Sequence, residues 1–331
     1  MPLSSPAVRA VLAGNAAMVV TVLVWGSMAP LVHELLHLYD ALEISVLRNV
    51  VAAPLFLAML AMRLGGAPPA SASIVASLPR ILALGLIGVV IFATLYTFGI
   101  YYAGPVQSSI VNSVAPVVAL GVGWLLNRDR PDRTLVAGIA LAVPGAALAL
   151  SAGNPNAMAA ESPTTLALGV LLIVLANVAW AFYSALARRW LGGWPAIALT
   201  AATIAAGAIL LGILYVAAGL AGLVRFPPPS PSLVDAGIFG FIAVFSVCLG
   251  VACWNFGVER LGLPLASLYL NVIPLIAIAV AAALGATIVP AHLLGAALVI
   301  AGLGGAQFKR LRDARAADRA AGRSLQPAVE R

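Results

Sequence analysis

The chain is 331 residues long, 63% apolar and only 9% charged, with a mean hydropathy of +1.07. A soluble domain carries about a quarter charged residues, so the composition excludes a water-soluble globular protein and predicts an all-α integral membrane one. The net charge of +7 does not point to nucleic acid, because seven of the 18 Lys and Arg lie in the tail after Phe308, beside an apolar run, where they suit lipid headgroups.

The first uncharged run, Val11 to Val32, is 22 residues long, too long for the core of a cleaved signal and enough for one crossing. It carries Trp25 and runs into His33-Glu34-Leu35-Leu36-His37. That spacing fits the pattern in which two histidines one helical turn apart hold zinc and the glutamate activates a water. A catalytic zinc also needs a third ligand and an open position in a water-filled cavity. The other histidine is His292, far along the chain, and the nearby carboxylates are Asp40 and Glu43. The stretch therefore reads as a polar helix end, with a membrane zinc protease as the alternative from another class. An enzyme is not expected, and neither is a metal or cofactor.

The second crossing spans 44–63. Between Asn49 and Met62 there are only 14 uncharged residues, too few to cross, so this helix must carry Arg48 into the membrane. A cation there receives a substrate carboxylate, pairs with Glu34 or Glu43 in an outer gate, or stretches to the headgroups. Next comes Ile81 to Asn127, 47 uncharged residues. One helix of that length would be about 70 Å long, so it divides at Ala103-Gly104-Pro105 into crossings at 81–102 and 105–126. These hold Tyr96, Asn112 and Pro116. Crossings at 134–152, 164–187 and 195–220 follow, the second of them with Asn177, Trp180 and Tyr183. The crossing at 236–257 contains Cys248, Cys253, Trp254 and Asn255; its cysteines read as small buried apolar residues. The 48 uncharged residues from Leu261 to Phe308 divide near 285–290. They give crossings at 264–284, with Tyr269, Asn271 and Pro274, and at 290–308. With the N-terminus inside, sixteen of the 18 Lys and Arg fall on the cytoplasmic side of these ten crossings. Both termini are therefore expected in the cytoplasm.

The chain repeats itself. Residues 96–116, YTFGIYYAGPVQSSIVNSVAP, align without a gap on 254–274, WNFGVERLGLPLASLYLNVIP. Trp25 matches Trp180, and GIALAVPG at 138–145 matches GAALVIAG at 295–302. The units are five-helix repeats at 11–152 and 164–308, followed by a basic cytoplasmic tail at 309–331. Five is odd, so the second repeat enters from the opposite side, and the loops agree. NRDRPDR after crossing 4 is basic while its counterpart GATIVP is uncharged; AGP after crossing 3 is uncharged while its counterpart holds Glu259 and Arg260. Inverted repeats of this kind belong to secondary transporters that alternate around a midplane site.

Several segments then resemble one family. They are WGS in the first crossing, LRNVVAAPLFL in the second, GPVQSSIVNSVAPVVALGVGWLLNRDRP in the fourth, and the G-x-x-L-x-x-x-G endings of both halves. In their order and duplication, over about 13–308, they are similar to the ten-helix EamA-type branch of the drug/metabolite transporter superfamily. The resemblance implies export or exchange of small metabolites, amino acids foremost, across the bacterial inner membrane, with import on the same fold as the runner-up.

The substrate-binding candidates are Arg48, Trp25, Tyr96, Asn112, Trp180, Tyr183, Trp254, Asn255, Tyr269 and Asn271. Trp25 with Trp180, and Tyr96 with Trp254, are repeat mates, as expected of two halves lining one cavity. Interfacial belts also use Trp and Tyr, and buried amides also join helices at ~0.6 kcal/mol each. Pro116 and Pro274, another repeat pair, are the hinge candidates. No phosphate-binding loop is present, so the expected partners are a small-molecule substrate and the lipid bilayer, with a homodimer a compatible assembly. No carboxylate lies deep in any crossing, which leaves the coupling ion open.

Overall fold

A computed structural model of the chain describes residues 6–62, 69–112, 114–127, 133–151, 162–261, 269–302, 304–305 and 308–309. The described residues are helical, joined by turns, with no strand among them. Six stretches are long and apolar enough to cross a membrane: Leu12–Leu35, Ala41–Ala61, Leu78–Ala103, Pro163–Leu191, Ile197–Leu220 and Leu233–Trp254. Shorter apolar helices cover Val136–Gly145, Leu270–Ala283 and Pro290–Gly302.

The elements begin and end where local chemistry dictates. Helices α1 (Pro6–Gly26) and α2 (Met28–Leu35) are separated by a turn at Ser27. Helix α3 (Ala41–Ala61) starts three residues before the expected 44 because Asp40 and Glu43 form its N-terminal cap, the Asp40 N–H donating to Glu43 Oε2 at 2.7 Å. Helix α4 (Leu78–Ala103) ends at Gly104, whose φ of +77° suits a residue without Cβ, and α5 (Pro105–Asn112) opens immediately on proline. The expected break at Ala103-Gly104-Pro105 thus falls in place. So does the later one, where Gly285 has φ +92°.

After α6 (Ala115–Asn127) and α7 (Arg133–Ser151), α8 (Pro163–Leu191) is capped by Ser162, whose Oγ accepts the Thr165 N–H at 3.1 Å. Helix α9 (Ala196–Leu220) precedes α10 (Leu233–Gly240) and α11 (Gly250–Leu261). Last come α12 (Ile273–Ala283) and α13 (Pro290–Gly302). The basic tail from 310 onward and the start of the ninth predicted crossing, 264–268, lie outside the described residues.

Two irregularities stand at matching places. A π turn, Leu86–Ile91, interrupts α4, and another, Phe241–Leu249, joins α10 to α11. Under the alignment of 96–116 on 254–274, residues 86–91 correspond to 244–249, inside the second π turn.

The packing is also mirrored. Helix α1 packs on α11, and its repeat mate α8 packs on α4; α3 lies against α9, and α5 against α12. Glycines permit these approaches. A Cβ on Gly169 of α8 would fall 2.6 Å from the Ala103 backbone nitrogen, and one on Gly145 of α7 would fall 2.6 Å from Leu298 Cβ of α13. Without a hydrophobic force between helices in lipid, such close van der Waals seams hold the bundle together. Pro116 is the second residue of α6, and Pro274 stands in the first turn of α12 beyond a 3₁₀ turn, Leu270–Val272. In the first turn of a helix the missing N–H costs little. Ser113, just before the turn that leads into α6, lies outside the described residues. The surroundings of the Pro116 ring lie outside the described residues.

Candidate functional site

Arg48 occupies the seventh step from the start of α3, about 10 Å along its axis. It does not reach the headgroups, since the whole side chain is buried, with 2% of its surface exposed. Its Nη2 donates to the Ala93 carbonyl of α4 at 3.3 Å, and its Nη1 is enclosed without a partner. The same Ala93 carbonyl also accepts from Thr97 Oγ1 at 2.8 Å and has Ser45 Oγ 3.0 Å away, the one Ser45 proton being shared among it, the Ala41 carbonyl at 2.8 Å and Thr97. Ser45 and Thr97 touch each other at 2.9 Å, so a buried polar seam joins α3 to α4 around the guanidinium. Tyr96 is buried within electrostatic reach of Arg48.

From this seam an aromatic row runs to the second repeat. Phe92, next to Ala93, stacks on Tyr96 with ring centres 5.6 Å apart and packs against Trp180 of α8 at 5.1 Å. Trp180 in turn meets Tyr183 at 5.2 Å, and 39% of its surface remains exposed. Tyr183 fills the space over Gly88, where a Cβ would fall 2.3 Å from the ring, and its hydroxyl bonds Thr203 at 3.1 Å.

The repeat mates form the mirrored contact. Trp25 packs on Trp254 with centres 5.6 Å apart, lies over Gly250, and donates its Nε1–H to the Ser246 carbonyl at 2.8 Å. Ser246 Oγ returns a bond to the Val24 carbonyl at 2.9 Å. Gly88 and Ser246 are equivalent under the same alignment, and both stand in the π turns. Each repeat thus sets a tryptophan of its first helix against the residue that follows the irregular turn in the other repeat's third helix, Gly250 for Trp25 and Phe92 for Trp180.

The remaining candidates are more dispersed. Tyr269 donates to Asn15 Oδ1 at 2.9 Å, tying the start of α12 to α1. Asn271 is buried, Asn112 partly exposed, and Asn177 donates to its own helix at Ile173, which makes it a packing residue. The side chain of Asn255 lies outside the described residues.

Two polar pairs escaped the sequence reading. Gln107 of α5 and His292 of α13, both fully buried, meet at 3.2 Å. Glu43 is buried to 1% exposure and accepts from Tyr215 of α9 at 3.1 Å, while Tyr215 also bonds the Arg225 carbonyl at 2.8 Å. A lone glutamine within an apolar run was the available sign of the first pair. Nothing local signalled the second, whose partners are 172 residues apart. Glu43, Asp40 and Arg225 also line a cleft of about 440 Å³ at this end of the bundle. Nearby, burial raises the Tyr39 hydroxyl above the ordinary tyrosine range, with Asp235 and Glu43 adding to the effect.

The H-E-x-x-H stretch closes α2. His37 Nδ1 meets the Glu34 carbonyl, and His33 is half-buried with Nδ1 unpartnered. The carboxylates that could complete a zinc site are engaged, Glu43 as above and Asp40 with the Arg225 N–H at 3.4 Å. Among the described residues no three His, Cys, Asp or Glu side chains are grouped to hold a metal. Purified protein is expected to carry no stoichiometric zinc. One zinc per chain by elemental analysis, lost in His33→Ala, would restore the protease reading.

With this geometry in hand, the comparisons with known proteins are consistent among themselves. Residues 12–151 and 167–306 each match the EamA-like transporter family. The chain is 29% identical over 225 residues to "Uncharacterized transporter YyaM" of Bacillus subtilis, covering 66% of this chain and 70% of that protein. It is 26% identical over 288 residues to the "Probable terminal-alkyne amino-acid exporter" of Streptantibioticus cattleyicolor, covering 87% and 91%. A crystal structure superposes with a TM-score of 0.64 at 19% identity, over 92% of this chain and 98% of that one, which is a likeness of fold.

Proposed function

Because the chain belongs to the EamA-like transporter family, with two copies of the family's repeat, we propose that it is a secondary transporter exporting a small metabolite from a bacterial cell. In this reading ten helices cross the inner membrane as two inverted halves with both termini in the cytoplasm, and alternating access moves amino acids or related compounds outward. The observation that carries it is the mirrored tryptophan contact: Trp25 on Gly250 and Trp180 on Phe92, equivalent residues that each follow a π turn. A pair of equivalent joints on opposite sides of one site is what rocking between two similar halves requires, and π turns recur where helices do functional work. The name of the Streptantibioticus relative supports export and the amino-acid class. Import or exchange on the same fold is the second reading, since inverted halves serve either direction.

Untargeted metabolite profiling of cells lacking or overproducing the protein tests the direction. One class that falls inside and rises outside only with the protein supports export; accumulation inside reverses the direction; no change in any class with verified expression counts against transport. In the same assay Trp25→Ala and Trp180→Ala are each expected to slow movement about fivefold, since an aromatic contact is worth ~1 kcal/mol and 1.4 kcal/mol is one decade of rate. Both variants should still elute as folded protein. An effect confined to one tryptophan would remove the equivalence of the two joints.

A further inference from the structure

Arg48 is the side chain that the packing leaves incomplete. A guanidinium carries five N–H donors, yet one acceptor is recorded for it, the Ala93 carbonyl at 3.3 Å, and Nη1 is enclosed with none. That single bond is weak for a specific reason. The Ala93 carbonyl already takes Thr97 Oγ1 at 2.8 Å and has Ser45 Oγ at 3.0 Å, although the one Ser45 proton also has the Ala41 carbonyl at 2.8 Å. Arg48, at 3.3 Å, is the most distant donor on a shared acceptor. Nor does a carboxylate among the described residues neutralise it. Glu43, on the same helix, is held by Tyr215 and the Asp40 N–H, and Asp235 is held by the Ser232 N–H at 3.0 Å. A buried, unneutralised cation within a membrane helix is expensive and marks a ligand or ion path.

We propose that Arg48 anchors the carboxylate of an organic monoanion whose apolar body lies along Phe92 and Trp180. The assignment rests on the transporter reading and narrows it, from amino acids and their relatives to acids that lack a free ammonium group. Charge decides the matter. A monoanion brings the buried site to neutrality through a bidentate pair, the geometry that guanidinium and carboxylate share. A zwitterion leaves the site at +1 and brings its ammonium beside the guanidinium, with no described carboxylate there to receive it. The aromatic row begins at Phe92, one residue from the Ala93 carbonyl, and offers flat, partly exposed surface at Trp180 for the rest of the molecule.

The test compares molecules that differ only in charge. Phenylalanine, 3-phenylpropionate and 2-phenylethylamine form one trio; leucine, 4-methylpentanoate and isoamylamine form a second that needs no aromatic ring. Thermal stabilisation of the purified full-length protein is measured with each at pH 8, where both acids are ionised. In at least one trio the anion is expected to stabilise at a concentration about tenfold below its amino acid, a gap of one charge–charge contact. Arg48→Gln should abolish that stabilisation and Arg48→Lys retain part of it. If Arg48→Gln fails to fold, the wild-type comparison and Arg48→Lys still decide. The assignment is overturned if the amino acid matches or betters its anion, if the amine alone stabilises, if the anion's effect survives Arg48→Gln, or if neither anion stabilises. Any of these outcomes beside positive metabolite profiling removes the role of Arg48 and leaves the transporter reading standing. Negative profiling removes the transporter reading itself.

Discussion

Gly169→Leu is expected to leave no folded protein. Gly169 stands in the seam between α8 and α4, where a Cβ would fall 2.6 Å from the Ala103 nitrogen, 2.8 Å from Ala103 Cβ and 2.9 Å from Tyr102 Cβ. The first of these is backbone and cannot swing aside as a flexible side chain would. The seam is tight from the other side as well, since a Cβ on Gly99 would meet Ile173 Cδ1 at 2.5 Å and the Gly169 carbonyl at 3.3 Å. A leucine must therefore push the two helices apart, and every contact along them weakens together. Overpacking costs ~1–3 kcal/mol where neighbours can shift; here the parted seam also carries the Phe92–Trp180 contact, and the cost is expected at or above that range. Fluorescence-detected size exclusion of detergent extracts measures it. Gly212→Leu, at a glycine of α9 with nothing within 4 Å, is the control and should elute normally. A folded Gly169→Leu protein would mean that the α4–α8 seam is looser than described.

The second large effect belongs to Glu43→Ala. Glu43 Oε2 accepts the Asp40 N–H at 2.7 Å and Oε1 accepts the Tyr215 hydroxyl at 3.1 Å. Truncation removes the cap of α3 and takes the charged acceptor away from the Tyr215 hydroxyl, which keeps the Arg225 carbonyl at 2.8 Å. A lost cap costs ~1 kcal/mol and a lost hydrogen bond to a charged group ~1.5–3 kcal/mol, so a loss of about 3 kcal/mol is expected, read as a lowered unfolding temperature. Tyr215→Phe removes one donor along with its bond and should cost about 1 kcal/mol. Glu43→Ala with Tyr215→Phe should then be less damaging than the sum of the two, because each single change already removes the same Glu43–Tyr215 bond. Strict additivity would show that the two side chains do not interact.

Much of the helical frame was legible because lipid imposes a length. Charge-free runs of 47 and 48 residues had to be folded back, and Gly104 and Gly285, both with positive φ, stand at the two turns. Arg48 was legible for the same reason, since a 14-residue uncharged run forced it into the helix. Its complete burial was not, because in a chain this apolar neither periodicity nor hydropathy separates the face toward another helix from the face toward lipid. The mirrored tryptophans could be aligned from sequence, but their partners could not be assigned: Trp180 meets Phe92 and Tyr183, whereas Trp25 meets Trp254, the repeat mate of Tyr96. The Glu43–Tyr215 and Gln107–His292 pairs depend on which helices become neighbours, which only the folded bundle determines. Helix starts were placed three residues late at 44 and 81 because an apolar window discounts a polar cap or a proline turn.

The two π turns set an aim as well as a shape. A turn of this kind arises when one residue is inserted into a helix whose ends are already anchored, and the wider loop absorbs the surplus. Leu86–Ile91 lies at the register position matched by the second π turn, Phe241–Leu249, although little sequence identity survives between them. Both repeats thus carry the same irregularity at equivalent positions of their third helices. Deleting one residue from either turn would regularise that helix and rotate everything beyond it by about 100°, swinging Tyr96 or Trp254 off its partner. The irregularity therefore recurs where the letters around it differ, because the aim of an aromatic ring depends on counting residues, whatever those residues are.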